Sequence, residues 1–330
     1  MSRAERPHFL HGVLVVDKPS GPTSHDVVVR VRELVRPSRV GHTGTLDPMA
    51  TGILVLCVGS ATRLASRLTG GVKEYTGLIT LGASTSTYDA DGDVVQRRPT
   101  EGLDVQRIRL AAATLEGDLL QTPPPWSAKK IDGKRAYDIA RAGETPALAP
   151  CRVRVDRFEI LWQEGDRCAF HVKCSRGTYV RSLAHDLGSR LGSGAHLASL
   201  RRERNGNFGP ADTHSLSDLE AAAREGRLRE IMIGMESLDL GLPSVSLTSE
   251  GEKAAAAGRL LSADLLEAGS VMPEAGEVRL VSSEGRLLGI AEAVLVPARS
   301  LQPRTMLSER GSGIGDGGRR GRSFSRESNP

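Results

Sequence analysis

The sequence is short of aromatic residues and of cysteine. Tyr, Trp and Phe together make up 3% of the 330 residues, so each of them calls for a specific role. The four cysteines include no Cys-x-x-Cys spacing and have no paired histidines nearby, which argues against a zinc site and, in a reducing compartment, against disulfides. We therefore expect no metal site, and reduced, mostly buried thiols at Cys57, Cys151, Cys168 and Cys174.

A long apolar run is also missing. No stretch approaches the roughly 18 residues that a membrane span needs, and residues 1–7 lack the apolar core of a secretory signal. The glycine-rich segment at 311–315 follows no strand pattern, so it does not predict a nucleotide-binding fingerprint. We expect a soluble cytoplasmic protein with no membrane partner.

Positive charge is unevenly divided along the chain. The formal net charge is +4, but residues 172–206 carry seven basic and two acidic residues, whereas residues 211–300 carry eight basic and fifteen acidic ones. Residues 1–70 carry nine basic and five acidic residues. The glycine-rich motifs described below lie in the two basic regions, which favours a polyanionic partner near them; a solvated charged face is the alternative.

The densest group of turn-forming residues surrounds one carboxylate, Asp47. The stretch Gly-His-Thr-Gly-Thr-Leu-Asp-Pro-Met-Ala-Thr-Gly at 41–52 is followed by an apolar run at 53–58 that is typical of a buried strand. Pro48 favours an extended backbone at Asp47 and so restricts where the carboxylate points. Asp47 is therefore either a functional residue on a loop at the edge of the core or an ordinary Asp-Pro turn initiator.

Four other polar residues stand where a chemical and a plain structural role compete. Tyr75 lies in an alternating strand at 73–82 and is either a stacking surface or a packing aromatic. Arg181 stands at a strand-to-helix junction and either pairs with a carboxylate or faces solvent. Lys18, at a strand end, either contacts phosphate or is an ordinary surface lysine, and Asp89 in a polar loop is either functional or a turn former.

Hydrophobic periodicity and turn residues predict the main elements. Strands are expected near 11–19, 53–58, 73–82 and 168–174, and helices near 24–36, 60–70, 105–115, from 181 onward and over 212–239. Three prolines at 123–125 open an exposed basic segment that either grips nucleic acid by charge and stacking or is a plain solvated helix start. Beyond 241 the chain becomes acidic and Ala-rich with short strands at 277–281 and 287–291, and residues 303–330 are too poor in apolar groups to fold.

Seven motifs occur in order between residues 11 and 206. They are Gly-Val-Leu-Val-Val-Asp-Lys-Pro at 12–19, Gly-His-Thr-Gly-Thr-Leu-Asp-Pro at 41–48, Lys-Glu-Tyr at 73–75, Asp-Ala-Asp-Gly at 89–92, Ser-Ala-Lys at 127–129, Ser-Arg-Gly-Thr-Tyr-Val-Arg at 175–181 and Leu-Arg-Arg at 200–202. In this order the chain resembles the TruB family of tRNA pseudouridine synthases, which isomerise a uridine in the TΨC arm. The aspartate motif and the Tyr-x-Arg motif together are the specific part of the resemblance.

The resemblance implies an α+β fold in three parts. Residues 1–240 would form the pseudouridine synthase catalytic domain, with a central mixed, largely antiparallel sheet flanked by helices and an RNA-clamping insertion at 123–147. Residues 241–302 would form a small β-rich, PUA-like RNA-binding domain, an assignment that rests on position and composition more than on a motif. Residues 303–330 would be a disordered Gly/Ser/Arg tail.

The resemblance also implies roles for three catalytic residues. Asp47 matches the catalytic aspartate, which attacks either C1′ of the ribose or C6 of the base. Tyr75 matches the tyrosine that stacks on the target base and is proposed to help remove the proton at C5, and Arg181 matches the arginine paired with the aspartate. An ionised carboxylate whose pKa is lowered by a neighbouring arginine suits the cleavage of a glycosidic bond at neutral pH.

Further residues are assigned to substrate binding. Tyr179 and Leu200 match residues that line the base pocket, and His42 matches the histidine that enters the tRNA loop as bases flip out. The other substrate-binding candidates are Lys18, Asp89, Lys129 and Arg201. Because the isomerisation needs no hydride, phosphoryl group or metal, we expect no cofactor.

Two positions depart from the family pattern. Residues 84–87 read Ser-Thr-Ser-Thr where relatives commonly have Arg-Thr-Asp-Thr, which puts one arginine contact and one carboxylate contact in doubt. Trp126 stands where tyrosine is usual and keeps a stacking surface without the hydroxyl. Because neither change touches Asp47, Tyr75 or Arg181, we expect an active enzyme.

The sequence thus predicts a stand-alone tRNA pseudouridine-55 synthase that acts on the TΨC arm of tRNA, needs no protein partner and is a monomer by default. One alternative is a non-catalytic RNA-binding or RNA-folding protein on the same scaffold. Another is a guide-RNA-dependent synthase of the archaeal and eukaryotic kind, which shares the Asp47 motif. The bacterial-looking C-terminal region favours the stand-alone enzyme over the guided one.

Overall fold

The computed structural model describes residues 9–127, 129–131, 133–144, 146–295 and 298–307. The chain forms two compact units, a larger one up to Pro243 that also includes Gly285–Leu287, and a smaller one made of Ser244–Glu284 and the residues from Leu288 onward. Among the residues described, no helix is both long and apolar enough to span a membrane.

Thirteen strands and six helices of the larger unit are described. The strands are β1 (Gly12–Lys18), β2 (Val40–His42), β3 (Thr51–Val58), β4 (Lys73–Leu81), β5 (Ala83–Thr85), β6 (Val94–Arg97), β7 (Gly117–Gln121), β8 (Lys130–Ile131), β9 (Lys134–Arg135), β10 (Cys151–Glu164), β11 (Arg167–Cys174), β12 (Ala195–Asn205) and β13 (Thr213–His214). The helices are α1 (Ser24–Leu34), α2 (Ala65–Leu68), α3 (Val105–Ala113), α4 (Ala136–Arg141), α5 (Val180–Leu191) and α6 (Leu216–Arg224).

A nine-stranded sheet is the centre of the larger unit. Its strand order is β13-β1-β3-β12-β4-β11-β10-β7, with β2 paired to β3. The pairs β1–β13 and β3–β12 are parallel and the others are antiparallel, so the predicted mixed, largely antiparallel sheet is confirmed. Apolar side chains of the strands and of α1, α3, α5 and α6 form one core, which places the strand ends and the loops between them around a common interior.

Helix α1 shows why local sequence sets the element boundaries. Thr23 is its N-cap, and its side chain and that of Asp26 satisfy each other's backbone N–H groups in a capping box. Val27 and Val31 follow at helical spacing and are buried. The helix ends at Leu34, two residues before the position expected from Pro37.

Two expectations about the larger unit are wrong, and two strands were missed. The segment 212–239 is not one amphipathic helix, because within it only Leu216–Arg224 is α-helical and β13 precedes that helix. The proline segment is not exposed at its start, since Pro123 and Pro124 are buried. The long strands β10 and β12 were not predicted, although Val153 and Val155 alternate with charged residues in β10; in β12 the charged run at 201–204 interrupts the apolar pattern.

The smaller unit contains β14 (Ser244–Ser246), α7 (Ser249–Ala256), β15 (Glu277–Val281), β16 (Leu287–Leu295) and β17 (Arg299–Met306). The strands form a sheet in the order β14-β15-β16-β17 over a separate apolar core. The strand β17 continues to Met306, so residues 303–306, which the sequence analysis placed in the tail, are paired with β16. The rest of the predicted tail, 308–330, lies outside the described residues.

Candidate active site

Asp47 lies in the turn between β2 and β3, as the glycine and proline pattern predicted. The Ser24 hydroxyl at the start of α1 donates to the Leu46 carbonyl at 2.9 Å and accepts from the Leu46 N–H at 2.8 Å. On the other side of Asp47, the Pro48 carbonyl accepts from the Gly21 N–H at 2.9 Å. The residues flanking Asp47 are therefore fixed to two separate parts of the chain.

The guanidinium of Arg181 joins two carboxylates. Its Nη2 donates to Asp47 Oδ1 at 2.9 Å, and its Nη1 lies 3.3 Å from Asp89 Oδ2. The side chains of Arg181 and Asp89 are 7% and 6% exposed, whereas that of Asp47 remains 32% exposed. Two backbone carbonyls, those of Thr87 and Trp126, complete the contacts of the two Nη atoms at 3.1 Å and 3.0 Å. The arginine is thus held in place, and the one accessible carboxylate that it contacts is Asp47.

Burial sets the direction of the Asp47 pKa. Removal of the carboxylate from water raises its pKa above the usual 3.8, and the charge of Asp89 raises it further, while Arg181 and, more weakly, Lys18 oppose the rise. Arg181 lowers the Asp47 pKa as expected from the sequence, but desolvation outweighs the ion pair, so the net shift of the pKa is upward. Asp47 is thus a partly exposed carboxylate whose charge Arg181 compensates only in part.

The ammonium of Lys18 holds the backbone of the Asp47 turn through hydrogen bonds. This side chain is fully buried, and its Nζ donates to the carbonyls of Pro19 at 2.9 Å, Pro48 at 3.1 Å and Ala50 at 2.7 Å. Burial lowers the Lys18 pKa, and Asp47 opposes that shift. All three donors of the ammonium are in use, so the assignment of Lys18 to phosphate contact does not agree with the structure: it is a positioning residue for the turn.

Arg202 holds the other side of the same turn. The side chain is buried, its Nε donates to the Ile53 carbonyl at 2.7 Å, and its Nη atoms donate to the carbonyls of Gly44 at 3.1 Å and Thr45 at 3.4 Å. Its backbone pairs with Gly52, where a Cβ atom would lie 2.3 Å from the Arg202 carbonyl oxygen and where φ is +96°. Glycine at this position is therefore needed for the two strands to meet.

The side chain of the neighbouring Arg201 projects from the opposite face of the sheet. Its two Nη atoms donate to the two carboxylate oxygens of Asp17 at 2.9 Å and 3.0 Å, and its Nε lies 3.4 Å from Glu203. These contacts place Arg201, proposed from the sequence as a substrate-binding residue, in an exposed ion network apart from Asp47. Arg201 stays a substrate-binding prediction, whereas the buried Arg202 is a residue of the site that the sequence analysis did not single out.

Models of two family domains match the chain on either side of Arg181. The TruB family pseudouridylate synthase N-terminal domain matches residues 32–180, and the tRNA pseudouridylate synthase B C-terminal domain matches residues 181–238. The tRNA pseudouridine synthase B of Solibacter usitatus is 40% identical over 286 residues, which cover 87% of this chain and 97% of that protein. The chain belongs to the TruB family.

Other relatives agree with this membership. The tRNA pseudouridine synthase B of Leifsonia xyli is 41% identical over 88% of this chain and 95% of that protein. Among solved structures, a chain of the archaeal box H/ACA sRNP Nop10-Cbf5 complex is 26% identical, with a TM-score of 0.67 over 93% of this chain and 90% of that one. A chain of a Cbf5-Nop10-Gar1 complex is 28% identical with a TM-score of 0.66, over 90% of this chain and 85% of that one. The predicted fold and TruB resemblance are confirmed.

Three further residues match the TruB pattern: Tyr75, Tyr179 and Leu200. Tyr75 on β4 and Leu200 on β12 are buried in the core of the larger unit. Burial raises the Tyr75 pKa, which the neighbouring Arg202 opposes, so the phenol is protonated at neutral pH. Tyr179 is the N-cap of α5, and the side-chain amide of Gln121 both donates to its carbonyl and accepts from its N–H, at 3.1 Å and 2.8 Å. Gln121 is a second positioning residue that no sequence motif indicated.

The remaining two candidates of the TruB pattern have contacts of their own. His42 ends β2, its Nδ1 accepts from the Gly44 N–H at 3.3 Å, and burial together with Arg202 lowers its pKa. The Lys129 ammonium contacts the Cys151 thiol rather than any residue of the Asp47 group. The structure thus brings Asp47, Arg181 and Asp89 together directly and leaves Lys129 apart from them.

The departures from the TruB pattern leave the arginine contacts intact. Thr87 and Trp126 both contact Arg181 through backbone carbonyls, which do not depend on the side chain present. Ser84 and Thr85 are buried in β5. Within the part of the chain that the structure describes, no group of three or more His, Cys, Asp or Glu side chains is arranged to hold a metal ion.

Proposed function

We propose that this protein is a stand-alone tRNA pseudouridine synthase that converts uridine 55 of the TΨC loop to pseudouridine, with Asp47 as its catalytic carboxylate. The observation that carries the proposal is the arrangement at Arg181, where two buried donors bridge Asp89 and the accessible Asp47. The names of the curated TruB relatives support tRNA as the substrate. The position within the tRNA rests on the family resemblance.

The proposed reaction rearranges one nucleotide without oxidation or reduction. The N1–C1′ bond breaks, a C5–C1′ bond forms, C5 loses its proton to solvent, and N1 gains one. Asp47 either attacks C1′ as the glycosidic bond breaks or adds to C6, and it leaves again in the second half of the reaction. Arg181 stabilises the carboxylate whenever it regains its full charge, at a distance of 2.9 Å.

The target uridine has to leave the RNA stack to reach Asp47. Base extrusion costs a few kcal/mol, which stacking on an aromatic ring offsets in part. Tyr75 supplies that ring in the proposal, with Leu200 and Tyr179 lining the pocket and His42 entering the RNA loop. The raised pKa keeps Tyr75 protonated, so little phenolate is available as a base, and we assign the ring to stacking first and to proton transfer only through a neighbouring water or carboxylate.

We further propose that the enzyme acts as a monomer without a protein partner. In this proposal residues 1–240 are the catalytic domain, 123–147 clamp the RNA, and 241–302 are a PUA-like module. One of the similar solved structures is of an archaeal box H/ACA sRNP Nop10-Cbf5 complex and another is of a Cbf5-Nop10-Gar1 complex, so a guided synthase is the second candidate. The curated relatives named tRNA pseudouridine synthase B, which are more similar in sequence, favour the stand-alone enzyme.

Tritium release separates these functions. Purified protein is incubated with an unmodified tRNA transcript that carries tritium at C5 of uridine, without guide RNA, beside Asp47→Asn and Arg181→Met. We expect release by the wild type, none by Asp47→Asn, and tRNA affinity within a few-fold in both variants. Asp156→Asn, which removes an exposed aspartate paired with Arg154 at 2.8 Å, is the matched control and is expected to be fully active.

Three outcomes would contradict the proposal. Binding without release by the wild type would favour an RNA-binding protein. Release only after addition of guide RNA and partner proteins would favour the guided synthase. Equal activity of Asp47→Asn and the wild type would remove Asp47 from the chemistry.

A further inference from the structure

Tyr88 has an unusual backbone conformation. Among the described residues other than glycine, it alone has a positive φ, at +65°. Aromatic residues rarely adopt this left-handed conformation, because the Cβ atom crowds the backbone. Such a conformation persists only where surrounding contacts enforce it, and it often marks a functional segment.

The two neighbours of Tyr88 are the residues that hold Arg181. The Thr87 carbonyl accepts from Arg181 Nη1 at 3.1 Å, and the Asp89 carboxylate lies 3.3 Å from the same nitrogen. A carbonyl and a side chain from residues two apart converge on one nitrogen only if the backbone turns sharply between them. The left-handed Tyr88 provides that turn.

A histidine on the same helix as Arg181 packs on the Tyr88 ring. The rings of Tyr88 and His185 are stacked, with centroids 3.9 Å apart and planes within 12°. His185 follows Arg181 by four residues on α5, so both side chains project from one face of the helix. One helix face therefore contacts three successive residues: Arg181 binds Thr87 and Asp89, and His185 covers the residue between them.

The backbone of Tyr88 is also attached to the central sheet. Its carbonyl accepts from the Leu197 N–H on β12 at 3.0 Å, and the Thr85 hydroxyl donates to the Asp89 carbonyl at 2.6 Å. These hydrogen bonds join the loop to the sheet, and the Asp89 carboxylate also accepts from the Thr87 hydroxyl and the Asp91 N–H, while the stacked rings join Tyr88 to α5. Burial lowers the His185 pKa, which keeps the ring neutral beside the Arg181 guanidinium.

We propose that Tyr88 and His185 form a positioning pair that sets the Thr87 carbonyl and the Asp89 carboxylate on Arg181, and through Arg181 aims the Asp47 carboxylate. The inference rests on the proposed function, because the pair is expected to change the rate of that same reaction. Neither ring takes part in the chemistry. The two rings contact the segment that holds Arg181 and do not contact Asp47 themselves. We therefore expect the stack to affect the rate of the chemical step and not the affinity for tRNA.

Ring-preserving and ring-deleting variants test the stack. Tyr88→Phe and His185→Phe keep two stacked rings and are expected to turn over within about threefold of the wild type in single-turnover tritium release. Tyr88→Ala and His185→Ala are expected to slow that rate by about ten- to a hundredfold, as small misplacements of catalytic groups do. The dissociation constant for tRNA is expected to change less than twofold in all four.

Tyr88→Gly separates the backbone effect from the ring. Glycine adopts φ of +65° without strain, so this variant should melt no lower than Tyr88→Ala. Because it lacks the ring, its single-turnover rate should stay as slow as that of Tyr88→Ala. If Tyr88→Gly restores the wild-type rate, the backbone conformation alone is sufficient and the proposed role of the stack is wrong.

A double-mutant test asks whether the pair acts through Arg181. In an Arg181→Lys background, which lacks the two-armed guanidinium, adding His185→Ala should slow the reaction less than twofold further, since the contact it supports is already gone. The same large factor in both backgrounds would overturn the proposal. A rise in the dissociation constant that accounts for the whole loss would also overturn it.

Amide hydrogen exchange gives a readout that does not depend on turnover. Faster exchange over residues 85–93 is expected in Tyr88→Ala and His185→Ala and not in His185→Phe. If the wild type releases no tritium, the proposed function fails, and the exchange experiment still decides whether the rings hold the loop. Unchanged exchange in both alanine variants would refute the pairing itself.

Discussion

Arg201 and Arg202 are consecutive residues of one strand, and we expect them to contribute very different amounts to stability. Arg202 is 1% exposed and donates to three backbone carbonyls, whereas the Arg201 side chain is 39% exposed and pairs with Asp17. We compare Arg202→Met with Arg201→Met, because methionine keeps much of the aliphatic stem and removes the charged donors. The two variants differ by one position in the chain and by the side of the sheet that they alter.

The expected magnitudes follow from the contacts. Two of the Arg202 hydrogen bonds, at 2.7 Å and 3.1 Å, are well formed, and the third, at 3.4 Å, is weak. At about 1.5–3 kcal/mol for each hydrogen bond from a charged donor, two of them contribute roughly 3–6 kcal/mol. Removing the buried charge returns part of its desolvation cost, so we expect Arg202→Met to lose roughly 3–5 kcal/mol. Arg201→Met should lose about 1 kcal/mol or less, as exposed pairs do.

Urea unfolding followed by tryptophan fluorescence measures this difference. Both tryptophans, Trp126 and Trp162, belong to the larger unit, so the signal reports the unit that holds both arginines. The free energy of unfolding is obtained by linear extrapolation for each variant. Equal losses in the two variants, or a loss below about 1 kcal/mol for Arg202→Met, would refute the conclusion that Arg202 holds the Asp47 turn.

Two further predictions concern the same turn. Turnover should rise with pH through an apparent pKa above the 3.8 of an ordinary aspartate, because Asp47 must be ionised and its pKa is raised; a profile midpoint below 3.8 would contradict this. Since that pKa is higher in the folded chain, the protonated carboxyl favours folding, and this contribution is lost as pH rises through the folded pKa. Gly52→Ala should unfold the turn or shift it, because the new Cβ would meet the Arg202 carbonyl at 2.3 Å; wild-type melting temperature and turnover would show that the strands can separate at no cost.

Much of the fold was predictable where periodicity was regular. Strands β1, β3 and β4 carry uninterrupted apolar or alternating runs, and Thr23 with Asp26 gives a capping signal that depends on neighbours alone. Strand β10 alternates buried Val153 and Val155 with exposed charged residues, which is a local strand signal that the sequence analysis did not use, and its full length depends on pairing with β7 and β11. The number of strands in the sheet therefore could not be predicted from single segments, because it depends on pairing between distant parts of the chain.

The candidate site was predictable only in part. Asp47 and Arg181 were found from motifs, but which of two adjacent arginines is buried depends on the register of β12 with β4. That register shifts between Leu197 and Ser199, which inverts the alternation, so Leu200 and Arg202 face inward instead of Arg201. The raised pKa of Asp47 was missed for a related reason: the charge partner is visible in the sequence, and the depth of burial is not.

The buried side chains of Lys18 and Arg202 bind backbone carbonyl oxygens of the Asp47 turn, and this determines which mutations the turn tolerates. Every amino acid has a carbonyl, so the grip of Lys18 and Arg202 is indifferent to the side chains of most residues it holds. The spacing of the carbonyls is another matter, since inserting or deleting one residue between Gly44 and Ile53 moves them out of register with both cations. Outside Gly52, where the backbone of Arg202 leaves no room for a Cβ atom, substitutions should affect the position of these carbonyls less than a change in the length of the turn.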